Sequence, residues 1–453
     1  MEDKDPMETN AAGHARVVVE ALFGAPAARD FDVAYWDGTT ERGRGTSRFA
    51  LRVNHPGALR RMLLPPSEVS LVEAFLSEDV DIVGDIESAV VLGDAINQSV
   101  ASPGALAHLT RHLLALPKHD RDVDQAYDEV HVGRAEHVVE QAGAQHEKER
   151  DRSAIQYHYD VGNDFYKLWL DERMVYSCAY FRSPADTLDD AQANKLDLVC
   201  RKLRLQRGER LLDVGCGWGA LVMHAVEYYG VQAVGITLSD AQLSLAREKI
   251  AEAGLSDRCT VERRDYRDVP AGGEFDKIAS VGMVEHVGVD NLPIYFESLN
   301  RALRPGGLLL NHGIVSVAAA KPLGWRDRLE RRLWRRDEFI DQYVFPDGKL
   351  GPLHAVIAAA ESTSFETRDA ESLREHYART LREWSRRLVS CEKEAIALVG
   401  SRRYRTWRLY MAASANGFAT ARLNVVQVLF AKPDEHGRSS VPMTRDDLLG
   451  ASN

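Results

Sequence analysis

Nine residues, Leu211-Leu212-Asp213-Val214-Gly215-Cys216-Gly217-Trp218-Gly219, constrain the folding of this chain more than any other stretch. An apolar run leads into an acid, glycines follow at alternate positions, and a helical pattern starts at once. A strand ending here puts Asp213 and the glycine turn at the mouth of a parallel sheet, where open α/β folds take up ligands. Glycine suits such a turn because a side chain holds the backbone away from a ligand, and because some turn positions need positive φ. The spacing is not the G-x-G-x-x-G of a dinucleotide fold, and no Lys-Ser/Thr follows to hold phosphate.

The surrounding text extends the same architecture. Leu196, Val199, Cys200 and Leu203 mark a helix that feeds a strand over 210–214. Helix and strand then alternate: helix 221–229, strand 232–237, helix 241–253 ending at Gly254, strands near 260–263 and 275–281, helix 292–303 and strand 308–315. This rhythm predicts a doubly wound, Rossmann-like α/β sheet with right-handed crossovers. A late strand over 423–430 is expected to close the sheet as an antiparallel hairpin.

At 453 residues the chain has room for more than one domain. Residues 1–14 read as a disordered tail. From 15 to about 115 a small α+β unit is expected, with a turn at Asp37-Gly38, alternation through Ser47–Val53, and a strand at Val80–Asp85. Residues 116–152 are charged and poor in large apolar side chains, as in Gln145-His146-Glu147-Lys148-Glu149-Arg150, and read as a linker. The catalytic domain is expected over 153–453.

The bulk numbers exclude several classes. No run of about 18 apolar residues exists to span a bilayer, and the acidic N-terminus lacks the apolar core of a secretory signal. Five cysteines without C-x-x-C pairing point to reduced thiols in the cytoplasm and away from a structural metal. A net charge of −11 is wrong for a general nucleic-acid binder. Against that balance, Trp325–Arg336 carries six Arg, with Trp325, Leu329 and Leu333 on one helical face. Such a helix suits peripheral contact with an anionic membrane surface, and equally a stripe packed on its own domain.

The glycine stretch resembles motif I of the S-adenosylmethionine-dependent methyltransferases. Further segments narrow the resemblance: Tyr157–Phe165, Tyr176-Ser177-Cys178-Ala179-Tyr180-Phe181, Gly235–Gln242, Gly282-Met283-Val284-Glu285-His286-Val287-Gly288, Asn311-His312-Gly313-Ile314 and His376–Leu381. From 153 to the C-terminus the chain is similar to the cyclopropane fatty acid synthases and the related mycolic acid methyltransferases. The N-terminal unit resembles sterol-carrier-type lipid-binding domains and fits the phospholipid-acting branch.

S-adenosylmethionine carries a sulfonium cation, a zwitterionic amino acid end and a ribose diol. Backbone at Gly215, Cys216, Gly217, Trp218 and Gly219, below Asp213, can approach the amino acid part, and the Tyr176 face can stabilise the sulfonium. The resemblance adds Ser177, Thr237 and Leu238 to the cofactor site and gives the ribose to Gln242. Yet Ser239-x-x-Gln242 is also a capping box that starts a helix. By the same resemblance Asp265 and Tyr266 lie near the adenine.

An isolated alkene has no proton to remove before it attacks, so methyl transfer creates carbocation character and a base acts afterwards. The resemblance implies that this base is bound bicarbonate, held by Cys178, Glu285, His312, Tyr377 and the Ile314 backbone. Glu285 cannot simply attract an anion; it must accept the bicarbonate O–H. Bland alternatives stand beside these roles: Cys178 as a buried small hydrophobe, His312 as a core histidine, and His376-Tyr377 on a solvated loop.

The expected activity is addition of a methylene across the cis double bond of unsaturated phospholipid acyl chains. The enzyme is expected at the inner face of the membrane, as a homodimer. A near alternative gives a methylene-branched acyl chain. A small-molecule methyltransferase would not need the Cys, Glu, His and Tyr set, and an inactive lipid-binding protein would not need the glycine motif.

Overall fold

In the computed structural model, which describes residues 6–100, 103–118, 148, 161–317, 343 and 350–449, the chain divides into two compact units. The first begins with a helix, Pro6–Phe23, where a disordered tail was expected up to residue 14. Ala11, Ala12, Ala15, Val18, Val19 and Leu22 are all buried, a stripe at helical spacing. Small alanines carry a weak hydrophobic signal, which is why this stretch reads as a tail. Strands β1 (Asp32–Tyr35), β2 (Thr40–Glu41), β3 (Phe49–Val53) and β4 (Val80–Gly84) form a sheet in the order β2-β1-β3-β4. The β1–β3 pair is parallel and the others are antiparallel. Asp32 fixes the loop before β3 by accepting from the Gly43 N–H at 2.9 Å and from Ser47 Oγ at 2.5 Å.

Two boundaries of this unit differ from expectation. Leu116, placed in the linker, is 1% exposed, and its carbonyl accepts from Arg60 Nη1 at 2.7 Å. Residues Gly400–Asn416 also belong to the first unit, so the catalytic domain is not one continuous segment from 153. Buried Arg405 donates through Nε to the Phe75 carbonyl at 2.7 Å and through Nη2 to the Val80 carbonyl at 3.1 Å. Gly400, at φ +78° and ψ +159°, breaks the helical path of Glu392–Ala419 where this segment begins. The rest of the expected linker (119–147 and 149–152), Tyr157–Asp160 and the Trp325–Arg336 helix lie outside the described residues.

The second unit is built on β5 (Arg210–Val214), β6 (Gln232–Thr237), β7 (Cys259–Arg263), β8 (Phe275–Val281), β9 (Leu303–Ser316), β10 (Glu366–Ser372) and β11 (Leu423–Ala431). Their order is β10-β11-β9-β8-β5-β6-β7. Strands β7, β6, β5, β8 and β9 are mutually parallel, and β11 runs antiparallel between β9 and β10. The late strand is therefore internal, and β10 forms the edge. The text of β10, Glu-Thr-Arg-Asp-Ala-Glu-Ser, is too polar to announce a strand, because an edge strand has little apolar surface to bury.

Both faces of the sheet are covered. Leu211 packs into one core with Ala233, Val261 and Leu310, while Leu212 and Val214 pack into the other with Ile236, Ile278 and Phe296. Burial on both faces explains the near-continuous apolar run of β5. Strand order reverses between β5 and β8, which opens a crevice at their carboxyl ends.

Candidate active site

At that crevice the glycine turn does what its spacing requires. Gly215, Gly217 and Gly219 have φ of +81°, +55° and +83°, a region that other residues seldom enter. The Gly215 and Cys216 N–H groups both donate to the Ile236 carbonyl at 3.0 Å, which ties the turn to β6. A Cβ on Gly235 would lie 2.8 Å from the Cys216 side chain, so a glycine on β6 is needed to admit the turn.

One pocket is lined by Tyr176, Ser177, Asp213, Gly215, Cys216, Gly217, Trp218, Thr237, Leu238, Gln242, Asp265 and Tyr266. Of the expected cofactor residues only Gly219 is outside the lining; it starts the helix Ala220–His224 instead. Lys195, which no sequence motif marked, also lines the pocket, as do Met283 and His286, which fall in the Gly282–Gly288 segment without an expected role. Trp218 is held by its Nε1–H donating to Asn163 Oδ1 at 2.8 Å, and Asn163 Nδ2 donates to the Ala241 carbonyl at 3.2 Å. Tyr176 is packed among aromatic rings, with centroids 5.6 Å from Tyr166 and 5.2 Å from Trp384.

Gln242 had two readings, and the hydrogen bonds divide them. Ser239 Oγ accepts from the Gln242 N–H at 3.3 Å, so half of the capping box forms. The Ser239 N–H, which a full box would give to Gln242, donates instead to Thr237 Oγ1 at 3.2 Å. Thr237 Oγ1 in turn donates to Gln242 Oε1 at 2.8 Å. The Gln242 side chain is thereby released from capping, and its amide is a donor at the pocket wall. Asp265 is committed to Arg267, accepting from its N–H at 2.9 Å and from its Nη2 at 2.6 Å.

Buried charge is concentrated here. Lys195, 2% exposed, donates to Ser177 Oγ at 2.9 Å. Burial brings its ammonium down to about 8, opposed by the carboxylates of Asp171 and Asp213. Burial also pushes Asp213 up to about 7, against the pull of Lys195. Asp213 Oδ1 has no hydrogen-bond partner among the described residues.

The second constellation adjoins the first, since Glu285 sits on the turn between pocket-lining Met283 and His286. Glu285 Oε1 accepts from the Ile314 N–H at 2.7 Å. The Ile314 N–H, expected to face an anion directly, is thus occupied in holding Glu285. Close packing permits this reach: a Cβ on Gly313 would lie 2.2 Å from Val284 Cγ1. Burial pushes Glu285 up to about 7, and its Oε2 is buried without a hydrogen-bond partner among the described residues.

His312 stands within β9, 2% exposed. Its Nδ1 is 3.1 Å from Gln427 Nε2, and its Nε2 has no partner among the described residues. Burial and the nearby Lys195 and Lys202 hold the ring well below its ordinary value, so it is neutral. Cys178 is 1% exposed, with Sγ donating to the Ala179 carbonyl at 3.3 Å and to the Leu373 carbonyl at 3.7 Å. Burial pushes this thiol far up, so it stays S–H at neutral pH. Tyr377 is buried on the helix Arg374–Ser390, not on a solvated loop, and its N–H donates to the same Leu373 carbonyl at 3.0 Å. Leu373 therefore gathers Cys178 and Tyr377, while Ile314 and β11 gather Glu285 and His312.

The family model described as mycolic acid cyclopropane synthetase matches residues 146–428, and one described as a domain of unknown function (DUF7884) matches residues 18–101. A probable fatty acid methyltransferase of Pseudomonas putida is 39% identical over 414 residues, covering 91% of this chain and 94% of the relative. The cyclopropane-fatty-acyl-phospholipid synthase of Escherichia coli (strain K12) is 36% identical over 62% of this chain and 68% of the relative. Among solved structures, the cyclopropane synthase MmaA2 from Mycobacterium tuberculosis aligns at a TM-score of 0.57 and 34% identity, covering 62% of this chain and 98% of that one. The mycolic acid cyclopropane synthase CmaA1 complexed with SAH and CTAB aligns at a TM-score of 0.58 and 34% identity, with the same coverage.

Proposed function

The chain belongs to the mycolic acid cyclopropane synthetase family of S-adenosylmethionine-dependent methyltransferases, and within it we propose a phospholipid-acting cyclopropane synthase. Its reaction adds a methylene across the cis double bond of unsaturated phospholipid acyl chains, at the cytoplasmic face of the membrane. The observation that carries this reading is a pair of buried polar atoms without hydrogen-bond partners among the described residues: Glu285 Oε2, on the turn between pocket-lining Met283 and His286, and His312 Nε2, on the strand whose Ile314 N–H holds Glu285. A methyl transfer to oxygen or nitrogen has no need of them. A buried polar atom without a partner costs about 1–3 kcal/mol, so their retention points to a polar group bound between them.

The pocket residues divide the methyl donor among them. The glycine turn and Lys195 take the amino acid end, Gln242 the ribose, and Asp265 with Tyr266 the adenine side. Tyr176 offers its ring face to the sulfonium. The alkene then attacks the donor methyl, and positive charge develops on the acyl chain. Buried aromatic walls keep out the water that would quench it. The new methyl loses a proton and the ring closes.

Bicarbonate suits the donors and acceptors present. Tyr377 and the neutral His312 ring can donate, Glu285 can accept the bicarbonate O–H, and Cys178 can donate once its S–H turns from the Ala179 and Leu373 carbonyls. When bound, the anion supplies the base for the proton lost from the new methyl. The same residues also serve a variant outcome, a methylene-branched acyl chain.

Lipid extracted from cells expressing the chain tests the proposal. Both products gain one CH₂, so mass separates active from inactive chains, and proton NMR distinguishes ring from branch. A lipid fraction without the added CH₂, beside a methylated non-lipid metabolite, would overturn it.

A further inference from the structure

Four polar side chains form a row across the antiparallel end of the sheet. His312 on β9 is the direct cross-strand partner of Gln427 on β11, and Gln427 is the partner of Glu371 on β10. Paired residues present their side chains on one face of a sheet. Over that face Lys202 ends the helix Leu188–Lys202, 3% exposed. Its Nζ donates to Glu371 Oε2 at 2.5 Å and to Gln427 Oε1 at 2.7 Å. Gln427 is itself 1% exposed.

The order of donors along this row leaves no freedom at its end. An ammonium can only donate, so the Gln427 atom that meets Lys202 is its carbonyl oxygen. The atom turned toward His312 is then the amide Nε2, which also only donates. At 3.1 Å, His312 Nδ1 must accept, so Nδ1 carries no proton. In a neutral ring the proton is on Nε2, the atom that is buried without a partner among the described residues.

We propose that Gln427, oriented by Lys202, is a positioning residue that locks His312 in the Nε2–H tautomer and makes it a fixed donor toward the reacting centre. The proposal rests on His312 acting in the reaction described above, but the identity of the group that receives its hydrogen bond is a separate matter. Fixing the tautomer through a second residue spares the site from reorganising at each turnover. A histidine with the other tautomer would present a lone pair, which repels an anion. Neither Gln427 nor Lys202 sits in a motif that the sequence reading marked as functional.

The test is Gln427→Glu in the full-length enzyme. The carboxylate keeps the size and the Lys202 contact but can only accept, so it draws the proton to Nδ1 and leaves Nε2 as an acceptor. Ring-¹⁵N histidine labelling with long-range ¹H–¹⁵N correlation reads the tautomer, and the His312 signal is assigned by its loss in His312→Gln. The expected result is an Nε2–H tautomer in the parent, an Nδ1–H tautomer in the variant, and turnover lowered at least tenfold with affinity for S-adenosylhomocysteine unchanged. Lys202→Met serves as a second variant: with the amide no longer oriented, both tautomers should appear. An Nδ1–H tautomer in the parent, or an unchanged tautomer in both variants, overturns the proposal, as does full turnover after a demonstrated switch. If the tautomer switches and turnover falls, but bicarbonate depletion affects neither protein, the positioning role stands and the bicarbonate reading fails.

Discussion

Replacing Glu285 by Gln should slow the enzyme and stabilise it, and the two effects have one cause. In the folded protein Glu285 Oε1 accepts the Ile314 N–H at 2.7 Å, while buried Oε2 has no partner among the described residues. Glutamine keeps the first bond through its amide oxygen but cannot accept at the second position. Losing one buried hydrogen bond to the bound group is worth about 1–3 kcal/mol, or about 10- to 100-fold in rate. Stability moves the other way. Burial raises this carboxyl from its ordinary 4.5 to about 7, so the folded state holds a proton that the unfolded state has lost between those values. Stability therefore falls as pH rises through that window, and the full penalty is present above about 7. The gap corresponds to at most about 3 kcal/mol. A glutamine is neutral throughout and escapes it. Thermal unfolding at pH 8 should place the variant several degrees above the parent, and at pH 4.5 the two should nearly coincide. Turnover on vesicles, with and without bicarbonate, is measured on the same preparations. Parent-like turnover, or a stability difference independent of pH, would refute the argument that an isolated buried carboxylate is retained here for chemistry.

Other expectations are simpler to check. Lys195→Met should weaken binding of S-adenosylhomocysteine about tenfold or more by calorimetry yet spare methylthioadenosine, which lacks the amino acid end; equal loss for both would assign Lys195 a structural role. Charge reversal at Arg331 and Arg332 should reduce binding to anionic vesicles without changing cofactor affinity, and added salt should mimic it, since exposed charges are screened beyond about 8–10 Å. Vesicle binding unchanged by either treatment would place the docking surface elsewhere. A chain beginning at Ser153 keeps every pocket-lining residue and should still bind S-adenosylhomocysteine. It should also lose most activity on vesicles and become prone to aggregation, because Trp407 and Met411, buried in the first unit, would be left without that unit's core; a monodisperse and fully active fragment would contradict this.

The sequence by itself determined the parallel part of the sheet, the glycine turn and the family. β5, β6 and β8 read correctly to the residue because each carries a short apolar core, set off by turn residues and by the helical patterns between them. The glycine turn was legible for a related reason: positive φ at Gly215, Gly217 and Gly219 is a local demand, met by residue type alone. Signals that depend on a partner elsewhere were not legible. Polar β10 is a strand only because β11 pairs with it, and Ala11 and Ala15 are core only because the first unit covers them. Gly400–Asn416 joins a unit some three hundred residues earlier, which no local pattern can announce. At the site, the sequence supplied Glu285, His312 and Ile314 as names, while only the tertiary structure decided their hydrogen bonds. Ile314 N–H went to Glu285, and Gln242 was released from capping by Thr237. Whether a buried atom is satisfied depends on every group within about 3 Å of it, and those groups here come from β9, β11 and the end of a helix more than a hundred residues away.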